Sequence, residues 1–172
     1  TNGICLFDRD VHEGRWRCGR AVSVDPRPLI GLEGKRIAIV GFGAIGCAVA
    51  RRAHAFGMTV IGQTDRRRAV PGVPIEWYDR LEMFAQADIV SLHAPLTAET
   101  YHLIDRETIA AMKPNAILIN TARGALIDDE AVAAALHNGG LAGAAIDVIG
   151  KTEPPAADNP LLTAPNCIIT PH

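Results

Sequence analysis

The chain has 172 residues, of which 48% are hydrophobic, 21% charged and 5% aromatic, an ordinary globular composition at a length that suffices for one domain with a sizeable core. The formal net charge of -2 and the pI near 6.3 argue against a nucleic acid or an anionic membrane as a partner.

Residues 1–34 show no regular alternation of elements. Residues 1–15 are predicted to be the tail of a helix that ends near Gly14, and residues 16–34 contain prolines and glycines without a sustained period. Trp16 cannot bury itself within a helix or strand of its own in such a stretch. We therefore predict that residues 16–30 form an arm that contacts a second subunit.

From residue 35 onward, apolar runs alternate with helical patterns. The predicted strands are Arg36–Val40, Thr59–Gly62, Ile89–Leu92, Ala116–Asn120, Gly143–Val148 and Cys167–Thr170. The predicted helices are Ala44–Phe56, Asp79–Ala85, Asp105–Met112 with an Asp N-cap, and Asp128–Asn138 with an Asp N-cap and Gly139 as its end. This alternation predicts an α/β fold, a doubly wound parallel sheet with helices on both faces.

A glycine motif follows the first predicted strand directly: Gly41-Phe42-Gly43-Ala44-Ile45-Gly46. In the following segment Ile45, Val49, Ala53 and Phe56 fall on one face, which indicates a helix. A strand, a tight glycine turn and a helix N-terminus together predict a dinucleotide pyrophosphate site. The alternative is a glycine turn that only connects two core elements.

Ligands of such sheets bind outside the carboxyl ends of the strands. Polar side chains concentrate there, namely Thr64, Asp65, His93, Thr121, Arg123, Asp147, Glu153 and His172. Loops are polar in any case, so their position alone favours a site only modestly.

Four cysteines, Cys5, Cys18, Cys47 and Cys167, lie far apart and form no CxxC pair. We expect reduced thiols in a reducing compartment, hence a cytoplasmic protein, and neither a disulfide framework nor a metal site. No apolar run approaches membrane-spanning length and no signal peptide opens the chain, so no membrane association is expected.

Five segments in order carry a family resemblance: Ser91–Thr100, Ile119–Gly124, Leu141–Val148, Glu153-Pro154 and Ile169–His172. They resemble the D-isomer-specific 2-hydroxyacid dehydrogenases, and residues 154–162 are most similar to the glycerate dehydrogenase (hydroxypyruvate reductase) branch. The resemblance implies a hydride transfer between NAD(P)H and a small 2-keto or 2-hydroxy acid, with hydroxypyruvate/D-glycerate or glyoxylate favoured, and a homodimer.

The resemblance also implies how the chain is divided. Residues 1–30 match the remnant of a linking helix and the dimer arm, and residues 31–172 match an NAD(P)-binding Rossmann domain that the family inserts between two halves of a substrate domain. Both ends of the chain look cut, so we expect a piece of a longer protein in which the substrate domain is missing. Without that domain, the fragment should bind dinucleotide weakly and not turn over.

Three residues match the family's catalytic positions. Arg123 would hold the substrate carboxylate with two parallel hydrogen bonds and polarise the keto group, His172 would be the acid–base, and Glu153 would partner it and fix its ring. From the residues alone, Arg123 could be a surface ion pair, Glu153 a loop carboxylate and His172 a structural histidine. The loop from Asp147 to Glu153 is one residue longer than is usual in the family.

The same resemblance assigns cofactor contacts. Asp147 would meet the nicotinamide carboxamide, although it could instead cap a turn, and His93 would border the adenosine, although it could be a packed loop residue. The full predicted set is Gly41, Phe42, Gly43, Ala44, Ile45, Gly46, Thr64, Asp65, Arg66, His93, Ala94, Pro95, Thr100, Thr121, Ala122, Arg123, Asp147 and His172.

NADP is slightly favoured over NAD. The family's acidic ribose ligand falls on Thr64, and Arg66, Arg67 and Arg68 follow, whose guanidinium groups suit a 2′-phosphate. Against this, a one-residue shift would place Asp65 at the ribose and leave the arginines as a solvated turn.

A different class of function shares these motifs. The C-terminal-binding corepressors have the same fold and serve as dinucleotide-sensing interaction proteins. Turnover of hydroxypyruvate by the full-length protein separates the two.

Overall fold

The computed structural model describes residues 4–16, 30–63, 67–150 and 153–172 in two units, Thr1–Leu32 and Glu33–His172. In the first unit, helix α1 covers Ile4–His12 and Gly14 follows in a left-handed conformation, with φ of 68°. The predicted helix end near Gly14 is thus confirmed. Of the predicted arm, residues 17–29 lie outside the described residues.

The second unit is built on a parallel sheet. Its strands are β1 Arg36–Val40, β2 Thr59–Gln63, β3 Ile75–Tyr78, β4 Ile89–Leu92, β5 Ile117–Asn120, β6 Gly143–Ile146 and β7 Cys167–Ile169. They lie in the order β3-β2-β1-β4-β5-β6-β7, and every neighbouring pair is parallel. The order reverses between β1 and β4, so right-handed crossovers place helices on both faces. The predicted doubly wound sheet is confirmed.

Strand β3 was not predicted. It forms the edge beyond β2, pairs with that one neighbour, and is only half-buried, with Glu76 exposed. A four-residue edge strand that carries a charge lacks the continuous apolar pattern of a central parallel strand.

The helices follow the predicted boundaries closely, as α2 Ala44–Ala55, α3 Arg80–Gln86, α4 Arg106–Ala111 and α5 Asp129–Asn138. Asp105 caps α4, because its carboxylate accepts from Thr108 N at 2.9 Å. Asp128 caps α5 and Gly139 ends it with φ of 77°, as the sequence predicts.

The predicted helix is present as α2, but the apolar face that the spacing indicates is buried only at Ala53. Ile45 and Phe56 are 69% and 66% exposed, and the buried residues of α2 are instead Gly46, Cys47, Ala50 and Ala53. The cause is the close approach of the helix to the glycine turn: a Cβ on Gly46 would lie 3.1 Å from Gly41 C and even nearer to Gly41 O. Only small residues fit that face, so the large ones point outward.

At the amino edge of the sheet, Asp88 connects the starts of three strands. Its carboxylate accepts from Arg36 N at 2.8 Å and from Lys113 Nζ at 2.9 Å, and its carbonyl accepts from Ile117 N at 3.0 Å. Burial alone would raise the pKa of the Asp88 carboxyl, but the hydrogen bonds from Arg36 N and Lys113 and the nearby lysine charges outweigh it and hold the pKa below its ordinary value.

Replacing Asp88 with asparagine should therefore lower the free energy of unfolding by about 2 kcal/mol at pH 7, since two charge-assisted bonds are weakened. The folded pKa is the lower one, so this contribution is complete above the unfolded-state value of about 4 and is lost as pH falls through the folded value. Urea unfolding at pH 7 and pH 3 measures it. Asp79→Asn is the matched control, because Asp79 is exposed and its side chain makes no capping bond; equal effects of the two substitutions would contradict the prediction.

Candidate active site

The glycine turn lies at the point where the strand order reverses. Gly41 has φ of 101°, and a Cβ there would lie 2.8 Å from the main chain of His93 and Ala94, at the end of β4. A Cβ on Gly43, by contrast, would meet nothing within 4 Å. The first glycine thus lets the two strand ends approach each other, and Gly43 leaves open space above the turn.

That open space lies at the N-terminus of α2. Gly43 is the N-cap, no side chain caps the helix within the described ranges, and Cys47 N donates to Gly43 O at 3.0 Å. The N–H groups of the first turn precede that bond and have no intrahelical acceptor. Free donors and the positive end of the helix dipole beside an open glycine fit the pyrophosphate of a dinucleotide.

Phe42 takes part in this turn through its main chain only. Its side chain is buried against Trp77, with ring centroids 5.3 Å apart, and a Cβ on Gly62 would lie 2.7 Å from both rings. The Phe42 carbonyl accepts from Arg68 Nη1 at 3.0 Å, so Arg68 lies beside the glycine turn. The predicted ribose residues Thr64, Asp65 and Arg66 lie outside the described residues.

The segment after β4 borders the same crevice. His93 is half-buried with Nε2 2.9 Å from Ser91 Oγ, and burial lowers the pKa of its imidazole. Both features favour a neutral, packed histidine. Thr100 Oγ1 donates to Pro95 O at 2.7 Å and accepts from Thr97 N at 2.8 Å, so this hydroxyl closes the loop in which Ala94 is buried and Pro95 is exposed.

The turn after β5 carries Thr121, Ala122 and Arg123 and is held from below by Asn120. That side chain is fully buried; its Nδ2 donates to Arg123 O at 2.9 Å and its Oδ1 accepts from Ala122 N at 3.1 Å. Arg123 extends into solvent, with Nη1 2.6 Å from Ala122 O. Sequence reasoning missed the role of Asn120, although an uncharged polar residue at the end of a buried strand was a usable signal.

The next two strands bring the remaining predicted residues to the same edge. Asp147 follows β6 and its Oδ1 accepts from Thr170 Oγ1 at 2.5 Å. After β7, His172 Nδ1 lies 2.6 Å from Glu153 Oε2. Both members of this pair are about half-exposed, so the acid–base pair that the resemblance predicts is in contact and open to a ligand.

The model of the D-isomer specific 2-hydroxyacid dehydrogenase NAD-binding domain matches residues 1–172. The chain belongs to this family.

Curated members of this dehydrogenase family are similar over nearly all of the chain. The glyoxylate reductase of Korarchaeum cryptofilum (strain OPF8) is 42% identical over 174 residues, which are 96% of this chain and 49% of that protein. The hydroxypyruvate reductase of Blautia hydrogenotrophica is 40% identical over 163 residues, 94% of this chain and 50% of that protein. The chain thus spans about half the length of the curated relatives it matches.

A solved dehydrogenase of the family has the same fold. The NADPH-dependent glyoxylate/hydroxypyruvate reductase of Sinorhizobium meliloti, in complex with NADP and malonate, superposes with a TM-score of 0.84 at 31% identity, covering 98% of this chain and 51% of that one. The NAD-binding fold, and with it a nicotinamide dinucleotide as the cofactor, follow from the family.

In the ranges that the structure describes, no group of three or more His, Cys, Asp and Glu side chains could hold a metal ion. Within the same ranges, none of the helices combines the length and the apolar character needed to cross a bilayer.

Proposed function

We propose that this protein reduces a small 2-keto acid, with hydroxypyruvate and glyoxylate as the favoured substrates, and carries out the reverse oxidation of the 2-hydroxy acid. The observation that carries the proposal is the 2.6 Å contact of His172 with Glu153, at the same sheet edge as the Arg123 turn and the open glycine turn. An acid–base, a carboxylate-binding cation and a dinucleotide site together are what this reaction needs.

In this proposal Arg123 binds the carboxylate of the keto acid with two parallel hydrogen bonds and polarises the adjacent carbonyl. The cofactor, when bound, supplies or accepts the hydride. His172 Nδ1 is engaged by Glu153, which leaves Nε2 to donate a proton to the carbonyl oxygen during reduction and to accept it during oxidation. Glu153 fixes the orientation of the ring through this contact.

The proposed cofactor contacts keep the predicted assignment. The main chain of residues 41–46 holds the pyrophosphate, the segment 93–95 borders the adenosine, and Thr121, Ala122 and Asp147 line the nicotinamide. Thr100 is proposed to act through the loop that its hydroxyl closes.

The test is steady-state kinetics of the full-length protein with glyoxylate, hydroxypyruvate and pyruvate, each with NADH and NADPH. We expect the highest kcat/KM with one of the first two acids, and D-glycerate but not L-glycerate oxidised in reverse. An intact, dinucleotide-binding protein without turnover would instead support the corepressor-like alternative, which the matches to named reductases do not favour.

We expect the protein to prefer NADPH, at a kcat/KM on the order of tenfold above that for NADH, as one added ion pair of moderate strength would give. The support is the Arg66–Arg68 run and the position of Arg68 beside the glycine turn. Kinetics with both cofactors, repeated with Arg66→Ala, measure it. A preference for NADH that is unchanged by Arg66→Ala would contradict the prediction and would indicate Asp65 as the ligand of the ribose.

We also propose a homodimer, in which the arm of residues 16–30 contacts the second copy, as the sequence predicts. We add a further contact, the outer face of α2, where Ile45 and Phe56 are exposed and Val49 lies between them on one face. Sedimentation of the full-length protein at micromolar concentration should give a dimer, and Phe56→Glu should shift it toward the monomer. Ala55→Glu is the control, because Ala55 is exposed on another face of α2. A wild-type monomer would contradict the proposal.

A further inference from the structure

Glu153 lies in the segment 150–159, and Arg123 is followed by the segment 124–129. These two segments contact each other at two places, one that precedes Glu153 in the sequence and one that follows it. The first is the contact of Gly124 with Gly150, and the second is the contact of Asp129 with Asn159. Gly124 directly follows Arg123, and Asp129 begins α5, so both contacts lead back to the part of the chain that carries the arginine.

At the first attachment two main chains touch without side chains between them. A Cβ on Gly124 would lie 2.9 Å from Gly150 N and even nearer to Gly150 O, distances that real Cβ atoms essentially never show. Gly150 itself has φ of 64°. Gly124 has no left-handed φ, so it is not required there by conformation; what requires a glycine is the closeness of the Gly150 carbonyl.

At the second attachment a partly buried carboxylate meets an amide. Asn159 Nδ2 donates to Asp129 Oδ2 at 2.7 Å, while Asn159 Oδ1 accepts from Leu161 N at 3.0 Å. The other Asp129 oxygen is buried and has no hydrogen-bond partner among the described residues. The carboxylate therefore depends on Asn159, and Asn159 fixes the start of the 3₁₀ helix Pro160–Thr163, whose Leu161 is buried.

We propose that Gly124 and the Asp129–Asn159 pair are positioning elements, which hold Glu153, and through it His172, in a fixed relation to Arg123. The inference rests on the proposed reductase function. Arg123 sets where the keto acid lies, and the Glu153–His172 pair sets where the proton is delivered. Because both attachments join these two segments, the substrate carboxylate and the acid–base keep a fixed relation even though Arg123 is exposed and Glu153 and His172 are about half-exposed.

The first test is Gly124→Ala in the full-length protein, with Gly31→Ala as the matched control, since a Cβ on Gly31 would meet nothing within 4 Å. We expect kcat/KM for the keto acid to fall on the order of 100-fold, as for a displacement of about 1 Å at a reacting group. The loss should appear both as a higher KM for the keto acid and as a lower kcat, with the Kd of the dinucleotide unchanged. In a Glu153→Gln background the same substitution should cost much less, because the carboxylate it positions is already gone.

The second test exchanges the members of the pair. Asn159→Asp keeps an acceptor for Leu161 N but sets two carboxylates against each other, so activity should fall. The double variant Asp129→Asn with Asn159→Asp restores one donor and one acceptor and should recover most of it. Loss without recovery, or a Gly124→Ala enzyme with wild-type kinetics, would overturn the proposal, as would an equal cost in the Glu153→Gln background.

An activity-independent readout separates this proposal from the proposed function. The ring resonances of His172, assigned by their disappearance in His172→Ala, should shift in Glu153→Gln, and they should shift the same way in Gly124→Ala and Asn159→Asp. If the wild-type protein reduces no 2-keto acid but these shifts occur, the reductase proposal fails and the positioning of Glu153 stands. If the shifts are absent from both attachment variants, the positioning proposal fails whatever the activity.

Discussion

Arg123→Ala is expected to lower kcat/KM for the keto acid on the order of 1,000-fold, because two charge-assisted hydrogen bonds to the substrate carboxylate are lost. The Kd of the dinucleotide should change far less, since the guanidinium extends into solvent from a turn that Asn120 holds independently through the Arg123 and Ala122 main chain. Steady-state kinetics of the full-length protein together with a fluorescence titration of the reduced cofactor measure both quantities.

Two variants make the result specific. Arg123→Lys keeps the charge but not the paired geometry, so its kcat/KM should lie between those of wild type and Arg123→Ala. Arg106→Ala, on the exposed start of α4, should be silent. A wild-type rate for Arg123→Ala would remove this residue from the proposed site, and a comparable loss of dinucleotide affinity would mean that the substitution disturbs the turn.

His172→Ala is expected to lower kcat by about 100- to 10,000-fold, the range for loss of a positioned general acid–base. It should also remove one limb of the pH profile of kcat/KM, because the group whose protonation that limb reports is gone. Glu153→Gln keeps the shape of the side chain 2.6 Å from Nδ1 but removes its charge, so its effect on kcat should be smaller than that of His172→Ala.

The control for this series is His54→Ala, since His54 is exposed on α2. Rates and pH profiles are measured from pH 5 to 9 at saturating cofactor. A His172→Ala enzyme that retains both limbs of the profile would show that another group transfers the proton.

The sequence predicted those features that depend on local chemistry. Buried central strands are apolar on both faces, Asp105 and Asp128 cap helices through their own side chains, and Gly139 ends α5 because it adopts a left-handed φ. These signals are contained in a few neighbouring residues. They were sufficient for the parallel sheet and for the edge at which the candidate site lies.

The features that depend on contacts distant in sequence were missed. Strand β3 is stabilised by its pairing with β2 and by Arg36, whose guanidinium donates hydrogen bonds to Glu76 and Tyr78. The residues around position 75 contain no local signal for these contacts. The exposure of Ile45 follows from how closely α2 approaches Gly41, and the lack of space for a side chain at Gly124 follows from a carbonyl that lies 26 positions along the chain. Periodicity cannot report such approaches, because they are set by tertiary packing.

Every strand of the sheet runs in the same direction, so all amino ends lie along one side of the sheet (the amino edge) and all carboxyl ends along the other (the carboxyl edge). The Asp88 ion pair and the Arg36 hydrogen bonds lie at the amino edge, whereas the proposed chemistry lies at the carboxyl edge. Substitutions that tighten the amino edge can therefore raise the unfolding temperature without stiffening the loops that meet substrate. Substitutions in the loops that change specificity usually lower the free energy of unfolding, and stabilising substitutions at the amino edge offset that loss. The amino edge is therefore the first place to stabilise before the loops are evolved in the laboratory.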